Sequence, residues 1–204
     1  MPRSEEANQR IREEQRTKIL EAAQKVFAQK GRAATMADIA TEASISQGLA
    51  YRYFKNKDEI FQTLLEQMVE SAMVAMPRFL KMPGTPGERL DMLVTRLLEG
   101  RRAIPTFYQF FYLMTMDEKT PKEIRDLIEK QGLLFQSVLR QLIVEGQASG
   151  EVVKEDPDQL MMAIIACLDG LWRLMVQVEP EQFKQQIPEA RIILRMVRIY
   201  PAQS

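Results

Sequence analysis

The stretch that decides the fold runs from Thr35 to Lys57 and reads TMADIATEASISQGLAYRYFKNK. Thr35 and Ser46 each carry a side-chain oxygen that can cap the start of a helix, so two short helices joined by a tight turn are expected. Ala40 and Ala43 are small enough to let these helices cross closely. Such a pair can place the start of its second helix in the major groove of DNA. The sequence therefore predicts a helix-turn-helix motif.

The second helix of this motif carries side chains that suit contacts with DNA. Gln47 can read a base edge through paired hydrogen bonds, Leu49 can contact a thymine methyl group, and Arg52 can read guanine or bind phosphate. Gly48 lets the two backbones approach each other. Tyrosine hydroxyls and helix N-termini bind phosphate without reading sequence. The residues that we predict to contact DNA are Thr35, Ser46, Gln47, Gly48, Leu49, Tyr51, Arg52, Tyr53 and Lys57.

Helices are expected throughout the remaining chain, because apolar residues recur with a helical period and no alternation of strand length is present. A first helix ends before Gly31, and a fourth begins after Asn56 and ends or kinks at Pro77. Thr120 is expected to cap a later, long helix. The later helices are predicted at 86–99, 104–116, 121–147, 157–178, 180–187 and 189–199.

The fold class that follows is all-α, with a small N-terminal three-helix bundle and a larger C-terminal helical domain. We place the helix-turn-helix domain at residues 1–55 and the second domain at residues 56–204. The fourth helix is shared by both regions and is their natural mechanical link.

Composition narrows the classes of function. The chain has 204 residues, of which 46% are hydrophobic, and its 28 basic residues balance its 28 acidic ones. The absence of histidine removes the commonest general base and metal ligand, so neither an enzyme nor a cofactor is expected. One cysteine and no long apolar run predict a cytoplasmic protein without a membrane span, associated with the nucleoid when it binds DNA.

The segment from Thr35 to Phe61 resembles the DNA-binding domain of the TetR family of bacterial transcriptional regulators. Leu49 and Ala50 depart from the family's more usual small or hydroxyl residue followed by a large apolar one, so looser packing is expected at Ala50. The matching residues are Ile19 to Ala23, Phe27, Gly31, Thr35, Ile39, Ala40, Ala43, Ile45, Ser46, Gly48, Tyr51, Tyr53, Phe54, Lys57 and Glu59.

The resemblance implies a homodimer that places two recognition helices in successive major grooves of a palindromic operator. The helix from about Ser46 to Tyr53 would then read bases, while Thr35, Tyr51 and Lys57 would hold phosphates. A polar arm precedes the first helix, and it either follows the DNA or is a tail or an extension of that helix. Its basic residues are Arg3, Arg10, Arg12 and Arg16.

The resemblance also implies a small-molecule pocket in the C-terminal domain. Methionine and aromatic side chains form adaptable walls, so an apolar or amphipathic effector is expected, although any one of these residues could instead be plain core. Asp169 is a further polar candidate and could equally pair with Arg173. The candidate lining residues are Met73, Met76, Leu93, Arg96, Leu97, Phe107, Phe110, Phe111, Met114, Phe135, Val138, Trp172 and Arg173.

The last helices carry apolar stripes that match the family's four-helix dimer interface. Ala163, Ala166 and Gly170 are small enough for close approach of a partner helix. The predicted interface residues are Met161, Ile164, Ile165, Leu168, Ile193, Met196 and Val197.

These features together favour a sequence-specific transcriptional regulator, a repressor that leaves its operator when a ligand binds the C-terminal domain. The sequence leaves open whether the ligand releases or promotes DNA binding. Two other classes are an enzyme and a helical assembly protein that has lost DNA recognition. The lack of histidine opposes the first, and the retained Thr35, Tyr51 and Lys57 oppose the second.

Overall fold

The computed structural model describes residues 5–118 and 120–199, and the side chains of Glu5, Asn8 and Met114 are outside the described set. Arg3 of the arm and the Met114 side chain, both named above, therefore lie outside the described residues. Within the described part, the chain forms α-helices and two short 3-10 helices without any β-strand, as predicted. The helices are α1 (Glu5–Lys30), α2 (Met36–Glu42), α3 (Gln47–Tyr53), α4 (Lys57–Ala75), α5 (Pro86–Ala103), α6 (Pro105–Thr115), α7 (Lys122–Ala148), α8 (Pro157–Met175), α9 (Pro180–Gln186) and α10 (Ala190–Leu194).

The N-terminal bundle packs α1, α2 and α3 around a small apolar core. Ile19, Ala23 and Phe27 of α1 are fully buried there, together with Ile39 of α2 and Ala50 of α3. Ala50, where looser packing was expected, is thus shielded from solvent within this core. The arginines of the arm that the structure describes, Arg10, Arg12 and Arg16, all lie on α1.

The turn between α2 and α3 is set by backbone hydrogen bonds. Ile45 N–H donates to Ala40 O and Ser44 N–H donates to Thr41 O, each at 3.0 Å. This pair of bonds is the Schellman arrangement, which requires a left-handed residue after the helix. Ser44 supplies that conformation at φ 53°. A serine is an unusual residue there, so sequence inspection alone did not identify the turn type.

The predicted caps Thr35, Ser46 and Asn56 agree with the structure, whereas the predicted cap Thr120 does not. Thr85 and Glu88 form a capping box at the start of α5, Asp156 caps α8 and Asn56 caps α4. Thr120 does not cap α7: that helix begins at Lys122, and its N-cap is Pro121, which makes no side-chain bond. The Thr120 N–H instead donates to Asp117 O at 3.0 Å, in the turn that precedes α7.

The C-terminal segment leaves the helical path earlier than predicted. Instead of a helix over 189–199, α10 spans only Ala190–Leu194, and Arg198 then forms an isolated antiparallel bridge with Val152. Arg198 is buried and pairs with Asp91 at 3.2 Å and with Glu151 at 3.5 Å. A buried guanidinium needs such carboxylates, so the segment folds back to reach them.

Two apolar cores are joined by α6. The first core contains the N-terminal bundle and much of α4, and the second contains α5, α7, α8 and the C-terminal segment. Phe107 and Phe110 of α6 enter the first core, whereas Tyr108 packs against both. We refer to Phe27, Phe61, Phe107 and Phe110 as the aromatic junction. Its closest pair is Phe61 and Phe110, whose ring centroids are 4.0 Å apart.

Candidate functional site

The start of α2 is held by a capping box that involves a charged residue. The Asp38 N–H donates to Thr35 Oγ1 at 3.2 Å, and the Thr35 N–H donates to Asp38 Oδ2 at 3.0 Å. Lys30 Nζ donates to Asp38 Oδ1 at 2.6 Å. The Lys30 ammonium and the Thr35 hydroxyl together lower the pKa of Asp38 to about 2. Asp38 is therefore ionised at neutral pH, and Thr35 remains exposed at the helix start.

Lys57 has a structural partner that the sequence did not reveal. Its Nζ donates to Arg32 O at 2.7 Å and to Ala34 O at 2.9 Å. These carbonyl groups lie just before Thr35, so Lys57 fixes the backbone that leads into α2. An ammonium group has three N–H donors, and one of them remains for a phosphate.

The predicted DNA-contacting side chains of α3 lie largely in solvent. Gln47, Gly48 and Arg52 are exposed, and Tyr51 is 50% exposed although it is a large aromatic residue. Ser46, also exposed, accepts a hydrogen bond from the Leu49 N–H at 3.1 Å and so caps the helix.

The other two members of this set, Leu49 and Tyr53, are half-buried. A methyl group placed on Gly48 would meet no atom within 4 Å. The backbone at Gly48 is therefore open to an approaching molecule.

A cavity of about 450 Å³ lies among α4, α5, α6, α7 and α8. Its apolar wall includes Tyr108, Phe111, Tyr112, Phe135 and Trp172. Rings stack there, with centroids 5.8 Å apart for Phe111 and Trp172 and 5.9 Å apart for Tyr112 and Trp172. This size and lining are typical of small-molecule sites, which measure about 300–1,000 Å³. A larger groove near the start of α4, of about 690 Å³, is lined mostly by polar residues.

The cavity contains some of the predicted lining residues and not others. Arg96, Leu97, Phe111, Phe135 and Trp172 line it, as does Asp169. The predicted residues that the structure describes outside this lining are Met73, Met76, Leu93, Phe107, Phe110, Val138 and Arg173.

The predicted residues outside this lining have four kinds of surroundings. Met76, Leu93 and Val138 are buried in the second core, whereas Phe107 and Phe110 belong to the aromatic junction. Met73 packs against the first core, and Arg173 is exposed. Periodicity identifies apolar faces, but it does not distinguish a cavity wall from packed core.

Sequence reasoning missed the most unusual group at the cavity, Arg101. Its side chain is buried and lies over the Trp172 ring, with Cζ 4.0 Å from the ring centroid. Nη1 donates to Leu97 O at 2.6 Å, whereas Nε is buried without a hydrogen-bond partner. Burial lowers the pKa of Arg101 to about 10, partly offset by Tyr108 and Asp169, so the group is still cationic at neutral pH.

The helix α6 connects the cavity to the N-terminal bundle. Tyr108, Phe111 and Tyr112 face the cavity, whereas Phe107 and Phe110 contact Phe61 of α4. Close-packed interiors transmit strain, so a shift of α6 would be felt on both of its faces.

The predicted dimer residues are mostly internal to the protomer. Ile164, Leu168, Ile193 and Val197 are at most 6% exposed and belong to the second core. Met161 and Ile165 are half-buried against the same core. Of the predicted set only Met196 is exposed, at 45%. The stronger apolar stripe of α8 therefore packs inward.

A second, weaker stripe of α8 faces solvent. It contains Met162, Ala166, Gly170 and Leu174, which recur every four residues and so lie on one helix face. Ile192, Met196 and Ile199 of the C-terminal segment are also exposed, at 45% to 62%. We refer to these seven residues as the outer apolar face.

Within residues 5–118 and 120–199, acidic and cysteine side chains form no group of three that could hold a metal ion. No helix among the same residues combines the length and the apolar character needed to cross a membrane.

The helix-turn-helix geometry agrees with comparisons to known proteins. The sequence profile described as "Bacterial regulatory proteins, tetR family" matches residues 19–64. The uncharacterized HTH-type transcriptional regulator YhgD of Bacillus subtilis is 33% identical over 150 residues, which are 69% of this chain and 73% of YhgD.

Solved structures share the whole fold at lower identity. A transcriptional regulator from Saccharomonospora viridis, solved in complex with choline, has a TM-score of 0.71 at 21% identity and covers 92% of this chain and 100% of its own. The regulator FadR of Bacillus subtilis, solved with stearoyl-CoA, has a TM-score of 0.59 at 20% identity, with 89% and 99% covered. The chain belongs to the TetR family of bacterial transcriptional regulators, and it is a DNA-binding regulator rather than an enzyme.

Proposed function

We propose that this regulator is a repressor that binds a palindromic operator as a homodimer and leaves it when a small apolar or amphipathic ligand enters the cavity. The observation that carries this proposal is the position of α6, which lines the cavity with one face and enters the aromatic junction with the other. A ligand releases DNA only if it binds the DNA-incompetent conformation more tightly. A coupling of about 1–3 kcal/mol is enough for a clear response.

We further propose that residues 1–55 form the DNA-binding domain and residues 56–204 the effector and dimer domain. The boundary coincides with Asn56, whose side chain caps α4. The first turns of α4 pack into the N-terminal core through Ile60, Phe61 and Leu64. A movement of α4 would therefore carry the helix-turn-helix motif with it.

For the DNA contact, we propose that α3 lies in the major groove. Gln47, Leu49 and Arg52 would read base edges, while Thr35 and Tyr51 would hold phosphates. The exposure of Gln47, Arg52 and Tyr51 supports these roles. Lys57 would contact phosphate with its remaining N–H while it holds the backbone before Thr35. Ser46, Gly48 and Tyr53 complete the surface.

Two structures of similar proteins that contain a ligand support a small-molecule effector in general terms. One structural neighbour is in complex with choline and another with stearoyl-CoA. These ligands differ greatly in size and charge, so they do not identify the effector of this chain. The mixed lining of the cavity, with aromatic rings and two arginines, fits an amphipathic molecule.

The DNA-binding proposal is tested by fluorescence anisotropy on a labelled duplex from upstream of the protein's own gene, compared with a scrambled duplex over a salt series. The upstream duplex should bind about a thousandfold more tightly than the scramble. Gln47→Ala should cost about 1–3 kcal/mol on the upstream duplex and little on the scramble. Tyr51→Phe, which removes one phosphate contact, should weaken both duplexes by the same factor. Equal wild-type affinity for both duplexes would contradict sequence-specific binding.

Gly48→Ala tests whether DNA approaches the backbone of α3. The free protein has room for this methyl group, and alanine favours helix more than glycine does, so thermal stability should be unchanged or slightly higher. Operator affinity should nevertheless fall, because the methyl group would occupy the space that the DNA needs. Gly132→Ala on α7 is the control in the absence of effector, since a methyl group there also meets no atom within 4 Å and the residue lines the cavity instead of α3. Unchanged operator affinity of the Gly48→Ala protein would exclude close backbone approach.

The outer apolar face is the proposed dimer contact, since exposed apolar patches of this kind commonly mark protein interfaces. Leu174→Glu places a charge on that face in both protomers of a symmetric pair, and it should produce monomers in sedimentation velocity. Val74→Glu serves as the control, because Val74 is 63% exposed but lies on α4. A Leu174→Glu protein that remains dimeric would move the interface to another surface.

A further inference from the structure

Arg101 differs from Arg89 and Arg198, which are also shielded from solvent, because it lacks a carboxylate partner. Arg198 pairs with Asp91 and Glu151, and Arg89 pairs with Glu145 at 3.0 Å. Nε is buried without a hydrogen-bond partner in both Arg89 and Arg101. Within the described part of the chain, however, Arg101 makes no ion pair with a carboxylate, whereas Arg89 does. Burial lowers the pKa of Arg101, and Tyr108 and Asp169 offset only part of this effect. A buried cation without a paired carboxylate is unfavourable, and an anion that enters from outside would supply the missing partner.

The surroundings of Arg101 define what such an anion would look like. Arg101 lines the cavity beside Tyr108 and Trp172, whose ring centroids are 5.6 Å apart. The other polar residues that line the same space are Arg96, Thr115, Gln131, Gln136 and Asp169. Arg96 and Asp169 are both exposed, and their opposite charges lie where solvent reaches the cavity. The buried part of the cavity therefore holds one net positive charge within an aromatic wall.

We propose that the effector is an amphipathic organic carboxylate, whose carboxylate group pairs with Arg101 while its apolar body lies against Phe111, Tyr112 and Trp172. A guanidinium offers parallel N–H donors that match a carboxylate, and such charge-assisted bonds are stronger in a site that excludes water. Trp172 holds the guanidinium plane in place through their stacking contact. A neutral apolar molecule would leave Arg101 uncompensated, and a cation would be repelled by it.

This inference rests on the proposed ligand-responsive function, but its test needs no DNA. Trp172 is the only tryptophan and lies at the cavity, so its emission reports occupancy directly. The purified full chain is titrated with decanoate, 1-decanol and decyltrimethylammonium, which share a chain length and differ in head-group charge. Decanoate should bind at least about tenfold more tightly than decanol, because only decanoate gains the charge-assisted pair. The ammonium compound should bind most weakly.

Arg101→Met removes the charge and keeps an apolar side chain of similar reach. It should weaken decanoate binding by about tenfold while leaving decanol binding unchanged or improved. Arg101→Lys keeps the charge but lacks the parallel N–H donors of a guanidinium. Its affinity for decanoate should fall between those of the wild type and of Arg101→Met. Arg78→Met is the control, since Arg78 is exposed on the 3-10 helix Met76–Lys81 and lies outside the cavity.

The relative affinities of the wild-type protein for the three ligands test the inference even if an Arg101 variant does not fold. Equal affinity for decanoate and decanol, tightest binding of the ammonium compound, or no saturable binding of decanoate would each overturn the inference. An equal loss of affinity for decanoate and for decanol in a folded Arg101→Met protein would also overturn the inference. Because the assay contains no DNA, these outcomes are independent of whether the upstream duplex is bound.

Discussion

The contact between Phe61 of α4 and Phe110 of α6 is the constraint on which the rest of the structure depends. Their ring centroids are 4.0 Å apart, and Phe27 lies 5.4 Å from Phe61 and 5.2 Å from Phe110. Burial of each such side chain contributes roughly 1.5–3 kcal/mol, and ring pairing adds about 0.5–1.5 kcal/mol. The N-terminal bundle and the C-terminal helices therefore share one piece of core. Neither can move at α6 without disturbing the other.

This shared core gives a physical route from the cavity to the DNA-reading surface. Trp172 stacks on Phe111 and Tyr112, which are on the same helix as Phe110. The sequence pointed to α4 as the mechanical link, and α4 does carry Phe61. The structure adds α6, for which the sequence predicted a helix over 104–116 but no linking role. A ligand that fills the space beside Trp172 would act on α6 first and on α4 through it.

Local signals in the sequence predicted the helix-turn-helix motif well, because caps and small crossing residues act over a few positions. Thr35, Ser46 and Asn56 all cap the expected helices. Long-range facts were not predictable in the same way. The inward stripe of α8 carries larger apolar residues than the outer one, so Ile164 and Leu168 suggested an interface although they are core. Likewise, the early end of α10 depends on Asp91, which is 107 residues from Arg198.

The basic groups illustrate the same limit of sequence reasoning. Lys57 was predicted only as a phosphate contact, yet its ammonium group donates to the carbonyl oxygens of Arg32 and Ala34. Arg198 was predicted only as part of a helix over 189–199, and it is a buried residue that pairs with two carboxylates. Arg101 did not stand out beside Arg102, but only Arg101 is buried in the cavity wall. The role of each cationic side chain depends on partners that are distant in sequence and come close only in the folded chain.

The measurement that tests the coupling most directly is a titration of the protein with operator duplex, followed by Trp172 emission. Coupling is reciprocal, so DNA bound at α3 must alter the cavity if the cavity alters DNA binding. Trp172 is the only tryptophan and is in the cavity wall, so no other indole contributes to the signal. Its emission should change with the same midpoint as the anisotropy of the labelled operator and remain constant with a scrambled duplex. Tight operator binding without any change in Trp172 emission would contradict a connection through the aromatic junction.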